Sequence, residues 1–424
     1  MPTATAPCSA VSACSRSSVS TRKFASIDRK GRRVRDFSAS LKALDAAGLR
    51  RRRRTVDGPQ GPVLDVDGRS LIAFASNDYL GLANHPAIAA AAIDAVQRYG
   101  VGAGASHLIS GHHAEHVRLE EELATFVGAE RALYFSTGYM ANSGIVPALA
   151  GRGDAVFSDA LNHACLIDGA RLSRADLHVY PHADMAALDA ALQASPASHR
   201  LILSDSVFSM DGDLAPLREL ADLAERHDAL ILLDDAHGFG VLGPHGEGAL
   251  AHAGVRSDRI LYLGTLGKAA GVSGAFVAGR ADIIEWLVQR ARTYIFTTAT
   301  PPMLAAAVRA SLVVIREDDW RRDRLRAHAR RLRSGLADLP WKLLPSEGAI
   351  QPLVIGDNTA ALNVMESLLE RGCWAPAIRP PTVPEGTARL RITLSAAHTD
   401  LHIDTLVSAL VETATASPAA ARAA

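Results

Sequence analysis

The chain has 424 residues, in which 45 Lys plus Arg stand against 45 Asp plus Glu. Zero net charge leaves no global field to draw nucleic acid or an anionic membrane surface, and the length suits two or three compact domains, because single cores stop growing at about 250 to 300 residues. Cys8, Cys14, Cys165 and Cys373 form no C-x-x-C pair, which argues against a disulfide framework or a cysteine-held metal. Arg, Asp or His interrupts every apolar run before the roughly 18 to 20 residues of a membrane span, so a soluble, cytoplasmic protein is expected.

Residues 1–38 are rich in Ser, Ala and Arg, carry no acid before Asp28 and show no apolar h-region. They are expected to be a disordered extension, with organellar targeting as the lesser reading. An N-terminal arm follows over 39–70. From Leu71 short apolar runs alternate with longer helical ones, the mark of a mostly parallel sheet with helices on its faces. Candidate strands are Ala132–Phe135, Ala155–Phe157, Leu177–Tyr180, Leu201–Leu203, Leu230–Leu233, Ile260–Leu263 and Ala275–Ala278; helices fall at Met185–Gln193, Pro216–Arg226 and Ala281–Arg292. The block 71–300 reads as a large α/β domain whose ligands bind beyond the carboxyl ends of its strands. Pro301-Pro302 then breaks the pattern. A helical stretch Met303–Leu336, short runs at Gln351–Ile355 and Arg389–Thr393, and a helix at Ala360–Arg371 predict a smaller α+β domain over 301–412. A disordered tail is expected over 413–424.

Two motifs carry the chemistry. Lys268 lies in Gly264-Thr265-Leu266-Gly267-Lys268-Ala269-Ala270-Gly271, just after an apolar run, and the run Ala229–Leu233 ends in Asp234-Asp235-Ala236-His237-Gly238. A lysine amine can hold pyridoxal phosphate as a Schiff base, and an acid beside the pyridine nitrogen keeps that nitrogen protonated. Taken alone, Lys268 reads as a surface lysine in a Gly-rich turn, and Asp234 as a strand-end carboxylate capping the next turn. A carboxylate at the end of a buried run nevertheless needs a partner to offset its desolvation. Ser136-Thr137-Gly138-Tyr139-Met140-Ala141-Asn142 follows a strand and opens a helix, so its N–H groups offer an anion site that Gly138 lets a ligand approach closely. Strand alternation puts Arg389 and Arg391 on one face, both suited to bidentate carboxylate binding, and leaves the choice between them open.

These motifs stand in order with Ser76-Asn77-Asp78-Tyr79-Leu80-Gly81, Val207-Phe208-Ser209-Met210-Asp211-Gly212-Asp213 and Ile378-Arg379-Pro380-Pro381-Thr382-Val383-Pro384. From about Leu44 to about Leu410 the chain thereby resembles the α-oxoamine synthases, a family of fold-type I pyridoxal-phosphate enzymes. The resemblance implies an α/β fold-type I transferase that condenses an amino acid with an acyl thioester and expels carbon dioxide, working as a homodimer with active sites at the subunit boundary. It implies Lys268 as the attachment lysine and Asp234 as the pyridine partner, since the family places that acid three residues before a histidine. It further implies His237 on the phenolic oxygen, His163 stacked on the pyridine face, and Gly138, Tyr139, Ser209 and Thr265 as other cofactor contacts.

On the substrate side the same resemblance implies Arg391, helped by Asn77, for the amino acid carboxylate, and Thr382 near the acyl chain. It also implies Arg51, with Arg50 as its neighbouring alternative, from a five-arginine block that otherwise reads as a solvated face. Thr297 or Thr298 would reach a neighbour's phosphate. The wording of Arg379–Pro384 and Ala349–Leu353 implies a member that joins L-alanine to a pimeloyl thioester, carried by coenzyme A or an acyl carrier protein; glycine-using and serine-using members are the alternatives.

Two rival patterns are incomplete. His112-His113-x-x-His116 with Glu120 outlines a metal-hydrolase helix but lacks the Glu that H-E-x-x-H uses as base, so surface histidines are the plain reading and no metal is expected. Gly100-Val101-Gly102-Ala103-Gly104-Ala105-Ser106 fits no G-x-G-x-x-G register, because position 105 is Ala and position 107 is His.

Overall fold

The computed structural model describes residues 37–416, so the expected extension up to residue 36 and the tail from residue 417 lie outside the described residues. The chain divides into two compact units, Met1–Arg52 and Arg53–Ala424. In the first, a helix spans Phe37–Ala46, so Phe37 and Ser38 are helical rather than part of an extension, and Arg50 pairs with Asp45 at 2.5 Å. Arg51 is exposed.

The second unit is built on three sheets. Strands β1 (Val56–Asp57), β2 (Val63–Val66) and β3 (Arg69–Ala73) open it, followed by β4 (Arg131–Phe135), β5 (Ala155–Asp159), β6 (Asp176–Tyr180), β7 (Arg200–Asp205), β8 (Ala229–Asp234), β9 (Ile260–Thr265) and β10 (Ala275–Gly279). The last five strands are β11 (Lys342–Leu343), β12 (Ile350–Gly356), β13 (Cys373–Trp374), β14 (Ala377–Ile378) and β15 (Ala388–Thr393). The central sheet has seven strands in the order β4-β10-β9-β8-β7-β5-β6, parallel except for β10, which runs antiparallel to both neighbours. Each candidate strand read from the apolar runs is one of these seven.

Near-continuous apolar runs form the middle of this sheet because both of its faces are covered. Alternation sorts their side chains: Leu201, Leu203, Leu232, Leu261 and Leu263 pack in one cluster with the helix Gly138–Leu149, while Ile202, Ile231, Leu233 and Ile260 pack in another with the helix Leu217–Arg226. The edge strand β6 is exposed at four of its five residues. A second sheet, β11-β12-β15-β14, is antiparallel, and a third joins β1, β2 and β3 to β13, with β13 parallel to β3. That pairing brings residues of the expected arm and the expected small domain into one sheet.

The helical stretch expected over Met303–Leu336 is two helices, Pro302–Glu317 and Asp319–Gly335, broken at Asp318. Asp318 leaves helical backbone at φ −96°, ψ 58°, and its carboxylate takes a 2.9 Å hydrogen bond from Arg321, whose guanidinium also donates to the Leu80 carbonyl. The break therefore serves the burial of an arginine. At the C-terminal end, Thr413 to Ala416 are not a tail but the last turn of the helix Asp400–Ala416. They continue the buried stripe of Ile403, Leu406 and Leu410, with Thr413 buried in turn.

Candidate active site

Three adjacent parallel strands end beside one another: β7 at Asp205, β8 at Asp234 and β9 at Thr265, with Asp205 and Asp234 in register. The turn after β9 carries Lys268. Gly271 closes that turn at φ +69°, where a Cβ would sit 2.5 Å from the Ala83 nitrogen, so glycine is required. Lys268 Nζ lies 3.0 Å from His237 Nε2. Burial pushes the Lys268 amine below its usual range, against the pull of Asp234 and Asp205. A lysine held closer to neutrality is a better nucleophile and base.

The two consecutive acids after β8 have opposite fates. Asp235 is fully occupied: it accepts from the Tyr262 hydroxyl at 2.6 Å, from the Ala249 amide at 2.8 Å and from Ser206. Asp234 accepts from the Asn142 amide at 2.6 Å and from the Ala236 backbone at 3.0 Å, with the Cys165 thiol at 3.9 Å. All three donors are neutral, and Asp234 is buried. Next door, burial beside Asp234 drives the Asp205 carboxyl well above its usual range, and it accepts the His163 amide at 3.0 Å.

From Lys268 a hydrogen-bonded chain runs into the C-terminal sheet. His237 Nδ1 meets the Tyr79 hydroxyl at 2.6 Å; that hydroxyl lies 3.1 Å from Asn77 Oδ1 and 3.5 Å from Arg391 Nη2. Arg391 donates to Asn77 Oδ1 at 3.2 Å and to the Ser209 carbonyl at 2.6 Å. Among the described residues its partners are neutral oxygens only. Arg389, two residues earlier on the same face, is committed to Asp211 at 2.7 Å and to the Met210 and Thr387 carbonyls, each at 3.1 Å. Burial holds His237 well below its usual pKa, so its ring is neutral.

The helix after β4 begins at Gly138, with the Thr137 hydroxyl capping the Met140 amide at 3.1 Å. A Cβ on Gly138 would lie 3.9 Å from the Thr265 hydroxyl, so the glycine leaves open the space between the helix start and that hydroxyl. Tyr139 is exposed and its hydroxyl donates to Asp168. His163 caps the next helix, its Nδ1 accepting the Cys165 amide at 3.3 Å, and it remains exposed. Thr382 sits in an exposed turn, its amide donating to the Arg379 carbonyl at 3.1 Å. Thr298 is exposed and Thr297 half-buried.

The family model for aminotransferase class I and II matches residues 69–410. The chain is 61% identical over 387 residues to 8-amino-7-oxononanoate synthase 1 of Polaromonas sp. strain JS666, covering 89% of this chain and 96% of that one. It is 60% identical to 8-amino-7-oxononanoate synthase of Herminiimonas arsenicoxydans, covering 88% and 98%. The chain belongs to the 8-amino-7-oxononanoate synthases. These are pyridoxal-phosphate-dependent acyltransferases of biotin biosynthesis. Among solved structures, serine palmitoyltransferase of Sphingomonas wittichii superposes at a TM-score of 0.85 with 33% identity, covering 90% of this chain and 97% of that one. The 8-amino-7-oxononanoate synthase of Francisella tularensis superposes at 0.70 with 29% identity, covering 81% and 97%. The better overlay with serine palmitoyltransferase reports the shared fold; identity near 60% along most of the chain decides the family.

In a synthase of this family the residues present fit the cofactor. Asp234 is a buried carboxylate with no ion-pair partner among the described residues, and so suits a protonated pyridine nitrogen. The amides that begin the Gly138 helix, with the Thr265 hydroxyl opposite, suit a phosphate. Four residues at this 8-amino-7-oxononanoate synthase site went unassigned in the sequence. Tyr79 and Asn142 lay inside quoted motifs, but nothing in a string of letters says which hydroxyl or amide turns inward. Asp205 did carry a signal, since it ends an apolar run as Asp234 does. Cys165 gave none.

The rival patterns resolve differently. Gly100–Ser106 follows the helix Pro86–Tyr99 rather than a strand, which removes the dinucleotide reading. In the histidine group His113 lies outside the candidate ligand set, its ring edge-on to that of His116 at 5.9 Å and its backbone amide donating to His116 Nδ1 at 3.0 Å, while His107, outside the expected set, comes in. A hydrolase reading gives way to the family.

Proposed function

We propose that this chain condenses L-alanine with a pimeloyl thioester, releasing carbon dioxide and the thiol carrier, coenzyme A or an acyl carrier protein, to give 8-amino-7-oxononanoate. One observation carries the residue assignment: Arg391, buried and hydrogen-bonded only to neutral oxygens, is joined through Tyr79 and His237 to Lys268. A guanidinium without an acid partner is suited to take a substrate carboxylate bidentately. Asn77 shares that task, and Thr382 and Arg51 are assigned to the acyl substrate.

Pyridoxal phosphate, attached at Lys268, supplies the electron sink. With the cofactor bound, Asp234 would keep the pyridine nitrogen protonated, Gly138, Tyr139 and Thr265 would hold the phosphate end, His163 would cover the ring face, and His237 with Ser209 would face the phenolic oxygen. Lys268 Nζ would take the Cα proton, and burial, by lowering its pKa, raises the share of free amine available to do so. A carbon–carbon bond then forms from Cα to the thioester carbonyl carbon as the carbon–sulfur bond breaks. The alanine carboxylate leaves as carbon dioxide, and Lys268 returns a proton to Cα. Arg391 and Asn77 keep the carboxylate oriented until it departs. The synthase is assigned to the cytoplasm as a homodimer.

The test is turnover of pimeloyl thioester with alanine, glycine and serine in parallel. Alanine is expected to be preferred by orders of magnitude in kcat/KM; equal turnover of glycine would assign the chain to another branch of the fold.

A further inference from the structure

The loop between the helices Pro86–Tyr99 and Ala114–Val127 gathers histidines that the acyl-transfer site does not use. Its single π-helical turn, His107–Gly111, folds the chain back so that His112 Nδ1 meets His107 Nδ1 at 2.8 Å. The reversal needs Gly111, where a Cβ would lie 2.0 Å from the Ala105 carbonyl oxygen. His116 enters from the following helix. The three ring centres are 5.0, 5.1 and 5.6 Å apart. Tyr294 stacks on His107 at 4.8 Å and fixes its plane.

We propose that His107, His112 and His116 form a binding site for one transition-metal cation of the zinc class. Three imidazoles arranged tetrahedrally on a zinc ion, with bonds of ~2.0–2.1 Å, have ring centres roughly 5 Å apart, as these do. Their donor atoms already lie within 4.8 Å of one another and need to close by roughly 1 Å to reach ligand spacing. Neutral imidazole is the liganding form, and burial keeps His107 down at about 3 and His116 at about 4. An outer carboxylate is also in place: Glu120 Oε2 lies 3.9 Å from His112 Nε2, on the side of the ring away from His107. That separation is a near approach rather than a hydrogen bond, and closing it by about 1 Å would complete the carboxylate–histidine–metal order by which metal-binding histidines are oriented.

Proton positions dictate what binding must change. The Nδ1 proton shared by His107 and His112 moves to Nε2 of the ring that carries it, freeing both Nδ1 lone pairs. His116 donates from Nε2 to the Thr300 carbonyl at 2.8 Å and accepts the His113 amide at Nδ1 at 3.0 Å. Coordination through Nε2 moves that proton to Nδ1, so the His113 amide bond breaks while the Thr300 oxygen remains beside the ion. No proton is released, and the first turn of the helix Ala114–Val127 loosens.

Zinc chloride titrated into the holoenzyme, followed calorimetrically, is expected to show one ion per chain with micromolar or tighter affinity. X-ray absorption at the zinc edge is expected to report three imidazole ligands, and amide exchange at His113 to rise on loading. His112→Ala and the milder His112→Gln, both at an exposed position, are expected to weaken binding at least tenfold while bound-cofactor absorbance is unchanged. His199→Ala, at an exposed histidine outside the group, is expected to leave affinity unaltered. Unchanged affinity in both His112 variants, or fewer than two imidazoles at the bound zinc, overturns the proposal.

Discussion

The carboxyl edge of the central sheet and strand β15 solve one problem in two ways. Each presents a pair of like-charged residues close in sequence, of which one is locked into structure and the other left for chemistry. At the sheet edge the pair is consecutive, Asp234 and Asp235, so strand alternation alone sends the two side chains apart: one to the neutral amide of Asn142, the other to Tyr262 and Ser206. On β15 the pair is Arg389 and Arg391, which share a face, so a separate element has to divide them. Asp211, in the turn after β7, captures Arg389 and leaves Arg391 among neutral oxygens. Local geometry suffices in the first case, and only long-range packing in the second.

The largest effect that tests this contrast is at the sheet edge. Lys268→Ala is expected to lower kcat by roughly 10⁴-fold or more with far-ultraviolet dichroism unchanged, since both the covalent attachment and the base are lost. Borohydride followed by peptide mapping is expected to label position 268 in the parent and not in the variant. On β15 the two arginines are expected to split cleanly. Arg391→Ala raises the KM for alanine by about 10- to 100-fold, the scale of a charge-assisted pair, with little change in melting temperature. Arg389→Ala instead lowers stability by about 1 to 3 kcal/mol, because it strands Asp211, and leaves KM nearly untouched. A KM effect from Arg389 larger than that from Arg391 would reverse the assignment.

A smaller effect is expected at the junction of the two regions. Tyr79→Phe removes the hydroxyl between His237 and Arg391 and is expected to cost about tenfold in kcat/KM, the scale of one buried hydrogen bond, along with a shift in the pH dependence of the cofactor absorbance. The smallest concerns pH. His182 bridges Asp159, at the end of β5, and Asp213, and its hydrogen bonds to them raise its pKa to about 10 from 6.5. A raised folded pKa gives stability that is complete below 6.5 and is lost as pH climbs towards 10. Melting temperature is therefore expected to fall over that window in the parent, and to fall less steeply in His182→Asn.

Much of this was legible in the amino-acid string. The inner strands of the central sheet announced themselves as short apolar runs, because a sheet covered on both faces tolerates little else; the edge strand β6 was also read, although it is exposed at four of its five residues. Lys268, Asp234 and His237 stood in motifs whose residue types the chemistry requires. The break at Asp318 escaped although Asp318-Asp319 offered a helix-start signal; there the Asp318 carboxylate accepts from Arg321, whose guanidinium also donates to the Leu80 carbonyl.

By itself, then, the sequence determined the layered α/β architecture through its periodicity, and through the family its motifs resemble it pointed to pyridoxal-phosphate chemistry and to Lys268 as the proposed anchor. Tertiary structure decided what each arginine of β15 binds, which hydroxyl joins Lys268 to Arg391, and which histidines converge beside Glu120. Arg389 and Asp211, like Tyr79 and His237, stand more than a hundred positions apart, and such a bond leaves no imprint on the spacing of either residue; the histidines lie close in sequence and meet only because the chain folds back on itself at Gly111.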